Sequence, residues 1–393
     1  MKYVVLITDG ASGWPVETFA GRTTLEAAEM PNLDRMARTG VVGLAATVPD
    51  GMEPSSAVAC MSVMGYDPSL FYAGRGPIEA LALSIDLEPG QVALRCNLVC
   101  VDDGAMRSYS AGNISSSESH VLMAAIQSEL GDRRVRFHPG VGFRHILTVR
   151  EGRDLLATRC VPPHDLADQQ IGGHLPDGPA ADLLLDLMER SKPILAAHPV
   201  NRGRKDRGEL PATQIWPFWP GVRPAAMPSF REKYGLRAAL TSPVDLLRGI
   251  ANQLGIDVLE IAGVTDGPDN DYGAQMKGAL KALGDHDLVI VHVEAPDAAG
   301  HDGDAEGKRT ALERIDVEMA SQLWEREGGL RVLVMPDHPT PLALRTHAAE
   351  PVPFIIWGEG STGTPAPSFT ESAAAGTGLL VPAGHELMAM LLG

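Results

Sequence analysis

Three short apolar runs in this chain each deliver a carboxylate at their carboxyl end. Tyr3–Thr8 leads to Asp9, Leu288–Val293 to Asp297 and His301, and Arg331–Met335 to Asp337 and His338. His347 follows nine residues after His338. Short β-branched runs of this kind read as strands buried on both faces of a parallel sheet. Such sheets bind ligands beyond their carboxyl ends. Three ends bringing three aspartates and three histidines to one crevice predict a two-metal site. Asp297 and His301 are four apart, which puts both on one face of a helical turn. Asp337 and His338 are adjacent and serve one site only from irregular backbone, which Pro339 favours. A carboxylate–imidazole set suits zinc, manganese or iron rather than calcium or a thiolate-selected metal. Each histidine alone reads more readily as structural; the six residues in this order do not.

A chain of 393 residues exceeds one ordinary core, and 44% hydrophobic with 21% charged residues describes a globular protein. The formal charge of −17 argues against nucleic acid or an anionic membrane as partner, since both require basic footprints. Cys60, Cys96, Cys100 and Cys160 make no disulfide framework or paired CxxC pattern. The amino-terminal run meets Asp9 too soon for a signal peptide, and no apolar stretch approaches the roughly 20 residues of a membrane span. A soluble cytoplasmic α/β enzyme is the expectation. Nothing in the sequence bears on oligomeric state.

The two ends of the chain share one rhythm and the middle differs. Met30-Pro31 interrupts the segment 23–39, so a helix is expected to begin near Pro31. From about residue 235, helices at Val244–Leu254, Gly273–Leu283 and Ala305–Gln322 precede strands at Val258–Ile261, 288–293 and 331–335. A Phe354–Trp357 run and a helix over Glu386–Leu391 close the pattern. Alternation of this kind implies a mainly parallel sheet with helices on both faces. The first strand must join it, which makes the middle an insertion. The expected domains are 1–78 with 232–393, and an inserted smaller α/β or α+β domain over 79–231. Pro- and Gly-rich joins at 74–77 and 217–228 are candidate hinges.

A metal site of this type needs a nucleophile, and the loop Pro49–Tyr66 offers Ser55 and Ser56. One of them reads as the N-cap of the apolar segment that follows. Ser56 is the candidate alkoxide, activated by a metal and able to present a phosphoryl group to free amides at a helix start. Arg75, Arg95 and Arg202 are the candidate contacts to an anionic substrate, since guanidinium binds carboxylate and phosphate bidentately. Arg202 belongs to a basic loop with Arg204, Lys205 and Arg207. His164 and Asp165 read as a packed turn before an acid–base pair.

The stretches GMEPSS, MGYDP, YAGRGPIEA, VHVEAPDAAGHDGD and MPDHPTPLALRTHAAEPVPFI carry a resemblance over nearly the whole chain. It resembles the archaeal-type cofactor-independent phosphoglycerate mutases and their bacterial homoserine-kinase-like relatives, in the alkaline phosphatase superfamily. The resemblance implies that fold, two divalent ions and a phosphoserine intermediate. One ion would take Asp297, His301 and His347; the other would take Asp9, Ser56, Asp337 and His338. Manganese or zinc is expected ahead of magnesium or cobalt. The substrate would be a small phosphorylated anion, with 2- and 3-phosphoglycerate first. A homoserine-kinase-like phosphotransferase, or a mutase or hydrolase of a phosphonate or related acid, is the alternative. The chain departs from the pattern in three places. Ser55-Ser56-Ala57 stands for Gly-Ser-Asp, Gln275 for a lysine expected to neutralise the phosphoryl group, and Asn113 for His or Arg. These departures bear on the substrate more than on the chemistry.

Overall fold

The run Lys2–Thr8 forms an inner strand of an eight-stranded sheet. It lies between Leu330–Met335 and Leu288–Val293 and runs parallel to both, with Tyr3 opposite Arg331 on one side and Leu288 on the other. Val4, Val5, Leu6 and Ile7 are all fully buried, so both faces of the strand are covered, as a parallel sheet requires. Each such side chain contributes roughly 1.5–3 kcal/mol by leaving water. The computed structural model describes residues 1–72, 74–83, 85–223, 227–324 and 328–393. They fall into two units, Met1–Tyr72 with Ala226–Gly393, and Ala73–Ala225.

In the first unit, Ala238–Thr241 and then Asp257–Val258 extend the sheet in parallel beyond Leu288–Val293. The strand expected over Val258–Ile261 is thus reduced to two residues at an edge. On the other side Val352–Gly358 runs antiparallel to Leu330–Met335, and Val41–Ala45 runs antiparallel to it in turn. Leu380–Val381 closes that margin. The sheet is therefore parallel where the carboxylates emerge and antiparallel on one flank. Helices Pro31–Ala37, Tyr272–Ala282 and Ala305–Arg314 cover one face, where Leu33, Met36, Met276 and Leu312 pack on Val4, Val289 and Val332. Asp245–Gln253 packs on Ala238–Thr241, and Leu387–Leu392 on Leu330–Met335.

The single helix expected over Ala305–Gln322 is broken. An α-helix over Ala305–Arg314 passes into a π-helical segment, Ile315–Ala320, before Ser321–Trp324. That segment holds the fully buried Asp316, whose Oδ1 accepts from Leu33 N at 2.7 Å and Oδ2 from Asn32 N at 3.2 Å. These are first-turn amides of Pro31–Ala37, which lack intrahelical acceptors. A wider turn in one helix is thus matched to the capping of another.

The middle unit is an antiparallel sheet of five strands. Val92–Asp102 pairs with Gln214–Val222 on one side and with Arg144–Val149 and Ala105–Ser108 on the other, and Val135–His138 lies beyond Arg144–Val149. Helices Ser116–Leu130 and Ala181–Ala197 pack on one face through Leu122, Ile126, Leu184 and Leu187. Helix Arg75–Ala82 lies on the other, against Ala93 and Ile146. A methyl group on Gly76 would come within 2.5 Å of Trp219 O and 2.6 Å of Ala93 O, so only glycine permits this approach. The expected hinges read differently here. Arg75 starts the helix, 217–222 belongs to a strand, and 224–226 lie outside the described residues.

Asp316→Ala strands two amides of the Pro31–Ala37 helix. Leaving the buried Leu33 donor unpaired costs about 1–3 kcal/mol, and the half-buried Asn32 donor less. The expected result is a thermal midpoint lowered by several degrees with divalent-ion uptake unchanged, read by calorimetry and ion titration.

Candidate active site

Because Leu330–Met335, Lys2–Thr8 and Leu288–Val293 are neighbours in parallel, their carboxyl ends open at one rim. Asp9 follows the middle strand, Asp337-His338 follows one neighbour, and helix Ala295–Asp302 follows the other with Asp297 and His301 one turn apart. Asp9, Asp337 and His338 are fully buried. His301 Nε2 lies 3.1 Å from Asp297 Oδ2 and 3.0 Å from His347 Nε2, so three donor atoms converge. His338 Nε2 lies 3.4 Å from Asp337 Oδ2 and 3.6 Å from Asp9 Oδ1. Asp337 Oδ1 accepts from His338 N and Gly10 N at 2.8 and 3.1 Å, and Oδ2 accepts from Cys60 Sγ at 3.3 Å. Gly10 has φ +61°, and a Cβ there would meet Asp297 Oδ1 at 2.5 Å. The turn after the first strand can therefore carry only glycine.

The two serines separate. Ser55 is the N-cap of helix Ser56–Val63, its hydroxyl accepting from Val58 N at 3.4 Å. Ser56 is left free for other work, with Oγ 3.1 Å from His338 Nε2. The structure thus sets Ser56, Asp9 and Asp337 around His338, and Asp297 and His347 around His301, with His338 also grouped with Asp297 and His347. Thr340 Oγ1 joins them, donating to Asp297 Oδ1 and lying 3.3 Å from His338 Nδ1.

Several residues here escaped the sequence reading. His292 Nε2 lies 2.7 Å from Asp9 Oδ2, and Glu294 Oε2 is 3.7 Å from the same nitrogen. The signal was a histidine inside an otherwise apolar strand, Leu-Val-Ile-Val-His-Val. Lys308 is fully buried, and its Nζ donates to Thr340 O at 2.8 Å and Ser12 O at 3.2 Å. It stands on the apolar stripe with Ala311, Leu312 and Ile315, where a lysine is anomalous. Gln275, where a charge was expected, is fully buried and donates to His292 O at 2.9 Å.

The electrostatics suit cations. Burial, then the charges of Asp337, Glu294 and Asp297, pushes the Asp9 carboxyl well above its ordinary value. Burial and Asp297 push Glu294 up as well. Among the described residues Asp9 Oδ1 and Glu294 Oε2 find no hydrogen-bond partner. Burial also opposes ionisation of Asp297, but the hydrogen bond from His301 and the neighbouring imidazoles hold it below its ordinary value. The bond to Asp297 raises His301 to about 9, while burial lowers His292 and His347 to about 4. Crowded carboxylates with unpaired oxygens, facing imidazole nitrogens, are a set that divalent ions complete. Among the described residues three such groups converge, Asp297–His338–His347, Asp9–Asp337–His338 and Asp9–His292–Glu294.

In the middle unit the structure brings Arg75 and Arg95 together. Arg75 Nε donates to Glu79 Oε1 at 3.0 Å, and Arg95 is paired with Glu79 Oε2. Arg75 stacks 4.2 Å over the Trp219 ring, and Arg95 donates to Asn97 Oδ1 at 3.0 Å. Two guanidiniums on one carboxylate leave a net positive charge. Arg202 is not brought to this pair; it donates to Ala197 O at 2.7 Å. Arg204 is buried and ion-paired with Glu118 and Glu209. Ala57 is fully buried, and Asn113 sits in a turn with φ +52°. The His164 ring lies edge-on to Trp219 at 5.4 Å, and its Nε2 is 3.8 Å from Asp165. The four cysteines are unpaired. Among the described residues no helix is long and apolar enough to cross a membrane.

Residues 37–201 match the family model described as 2,3-bisphosphoglycerate-independent phosphoglycerate mutase. A protein of that name from Methanothrix thermoacetophila is 44% identical over 396 residues, covering 100% of both chains. A probable 2,3-bisphosphoglycerate-independent phosphoglycerate mutase from Geobacter sulfurreducens is 44% identical over 400 residues, again covering 100% of both. Among solved structures, the PH0037 protein of Pyrococcus horikoshii superposes with a TM-score of 0.82 at 26% identity, covering 100% of this chain and 96% of that one. The cofactor-independent phosphoglycerate mutase of Thermoplasma acidophilum superposes with a TM-score of 0.66 at 27% identity, covering 100% and 99%.

The metal-free protein should lose stability as pH rises from about 7 to 8. Over that range His292 and His347, lowered to about 4, are neutral when folded and mostly neutral in the unfolded chain. Glu294, raised to about 8, and His301, raised to about 9, hold protons in the folded protein that the unfolded chain has largely released. Urea denaturation at several pH values should show this slope, shallower in Glu294→Gln and removed by saturating manganese.

Proposed function

Because the chain belongs to the 2,3-bisphosphoglycerate-independent phosphoglycerate mutase family, we propose that it interconverts 2- and 3-phosphoglycerate through a phosphoryl group carried on Ser56. The observation that carries this reading is the division of labour between the two serines. Ser55 spends its hydroxyl on the helix cap, and Ser56 Oγ faces His338 among buried carboxylates.

Two divalent ions are assigned to these residues, manganese or zinc by the oxygen and nitrogen donors. One falls to Asp297, His301 and His347, the other to Asp9, Ser56, Asp337 and His338. When bound, such ions lower the pKa of a hydroxyl and neutralise charge on a transferring phosphoryl group. The chain's own contribution is placement. Ser56 is the first residue of an eight-residue helix, so a phosphoryl group on its Oγ lies near first-turn amides that lack intrahelical acceptors. The Gly10 turn and the Cys60 thiol hold Asp337. Thr340 holds Asp297. Lys308 pins the Ser12 and Thr340 carbonyls, and so the two loops on which these groups stand.

In the reaction the substrate's phosphoester oxygen leaves as Ser56 Oγ bonds to phosphorus. The glycerate, held while its two hydroxyls exchange places, then attacks the phosphoserine with its other oxygen and frees Ser56. Arg75 and Arg95 are the proposed partners of the carboxylate. They are preorganised by Glu79, whose carboxyl burial would raise but whose two arginines hold it low. The substrate is thereby a small phosphorylated acid.

The test is turnover of 3-phosphoglycerate with manganese, followed by phosphorus NMR, with intact mass of the quenched enzyme. Formation of 2-phosphoglycerate and a phosphoryl adduct are expected, with Ser56→Ala losing the adduct and at least about 10³-fold in rate. An adduct that persists in Ser56→Ala would move the nucleophile to Ser55. Absence of 2-phosphoglycerate from ion-loaded enzyme would sink the mutase reading.

A further inference from the structure

His292 belongs to neither group of assigned ligands, yet it is fully buried and makes a short contact with one of them. We propose that His292 is a positioning residue whose Nε2–H fixes one oxygen of Asp9, leaving the other oxygen turned toward His338 to meet a divalent ion. The proposal rests on the reading of Asp9 as a metal ligand given above.

The hydrogen bonds around the ring assign its proton. Ser242 Oγ accepts from Val244 N at 3.1 Å and lies 3.0 Å from His292 Nδ1. The Asp9 carboxylate oxygen that faces Nε2 can only accept, so the ring proton sits on Nε2 and the Ser242 hydroxyl donates to the bare Nδ1. Nε2–H points at Asp9 Oδ2, 2.7 Å away, while Glu294 Oε2 at 3.7 Å is beyond hydrogen-bond reach. Asp9 Oδ1 finds no hydrogen-bond partner among the described residues and lies 3.6 Å from His338 Nε2. One carboxylate oxygen is therefore held and the other presented. A neutral donor suits this task, because it orients the carboxylate without cancelling the charge that attracts the ion.

The backbone beneath the ring is fixed by the same logic. Asp9 N donates to Val293 O at 3.0 Å, so the polar groups of His292 face the opposite neighbour, Ala238–Thr241. That strand's pairing ends at Val291 with Thr241, one residue too early. Gln275 Nε2 takes over at 2.9 Å from His292 O, and Asn270 Nδ2 donates to Gln275 Oε1 at 3.0 Å. Asn270, Gln275, His292 and Ser242 are each at most 2% exposed. The glutamine that stands where a charge was expected thus extends a sheet hydrogen bond that the short strand leaves open, and Asp9 inherits its position from it.

The experiment titrates manganese into the metal-free full chain, by calorimetry and by the Mn2+ electron paramagnetic resonance signal. It compares wild type with His292→Leu, His292→Gln and Asp9→Asn. His292→Leu fills the space without a donor and should weaken one of the two sites by about 10- to 100-fold, leaving the other unchanged. His292→Gln keeps an N–H of similar reach and should restore most of that affinity, which a packing role would not predict. The thermal midpoints of the metal-free variants control for folding. Wild-type affinity in His292→Leu overturns the proposal, and so does equal weakening in Leu and Gln variants. Loss of a whole ion from the saturated His292→Leu protein would make His292 a ligand and overturn it as well. If Asp9→Asn binds both ions like wild type, the assignment of Asp9 itself fails, an outcome separable from the behaviour of His292.

Discussion

The confinement of several carboxylates in one buried rim is the constraint on which the rest of this structure depends. Asp9, Asp297 and Asp337 stand at most 3% exposed, and Glu294 adds a fourth acid. Burial alone drives such groups toward neutrality, and mutual repulsion adds to it. The protein answers with very few cations of its own. Lys308 is close, but its donors go to two main-chain carbonyls. What remains is a set of oxygens and imidazole nitrogens that need divalent ions, and those ions are what phosphoryl transfer to a serine requires.

Much of the scaffold serves to hold that rim. The parallel pairing of three strands brings their ends together, and the antiparallel flank completes the sheet without adding a ligand. Gly10 lets the first strand turn under Asp297. Cys60, Thr340 and His292 each hold one carboxylate by a single contact. In the middle unit Glu79 performs the same service for two arginines. Preorganised charge of this kind costs no rearrangement at the moment of reaction.

Legibility in the sequence followed the strength of the local signal. Asp9, Asp297, His301, Asp337, His338 and His347 stood out because strand ends are marked by a change from apolar to polar residues. His292, which touches Asp9, and Lys308, which holds two neighbouring main-chain carbonyls, did not, since both sit inside apolar patterns and look like blemishes in them. The antiparallel strands Val41–Ala45 and Val352–Gly358 were harder still, because pairing direction is written in no single segment. The π-helical turn at Ile315–Ala320 was invisible for a similar reason. It carries Asp316, which serves a helix some 280 residues away in the chain.

By itself the sequence determined the chemistry: the donor types, their placement at strand ends, the two adjacent serines, and the kinship those motifs carry. Hydrophobic periodicity and residue type are local properties, so a one-dimensional reading reaches them. Only the tertiary structure decided which serine is spent as a cap and which arginines meet. It also turned the departure at Gln275 into a hydrogen bond to the strand that bears His292. Those outcomes depend on distances between residues far apart in the chain, and hydrogen bonds and charge pairs act only where the fold brings their partners within a few ångströms.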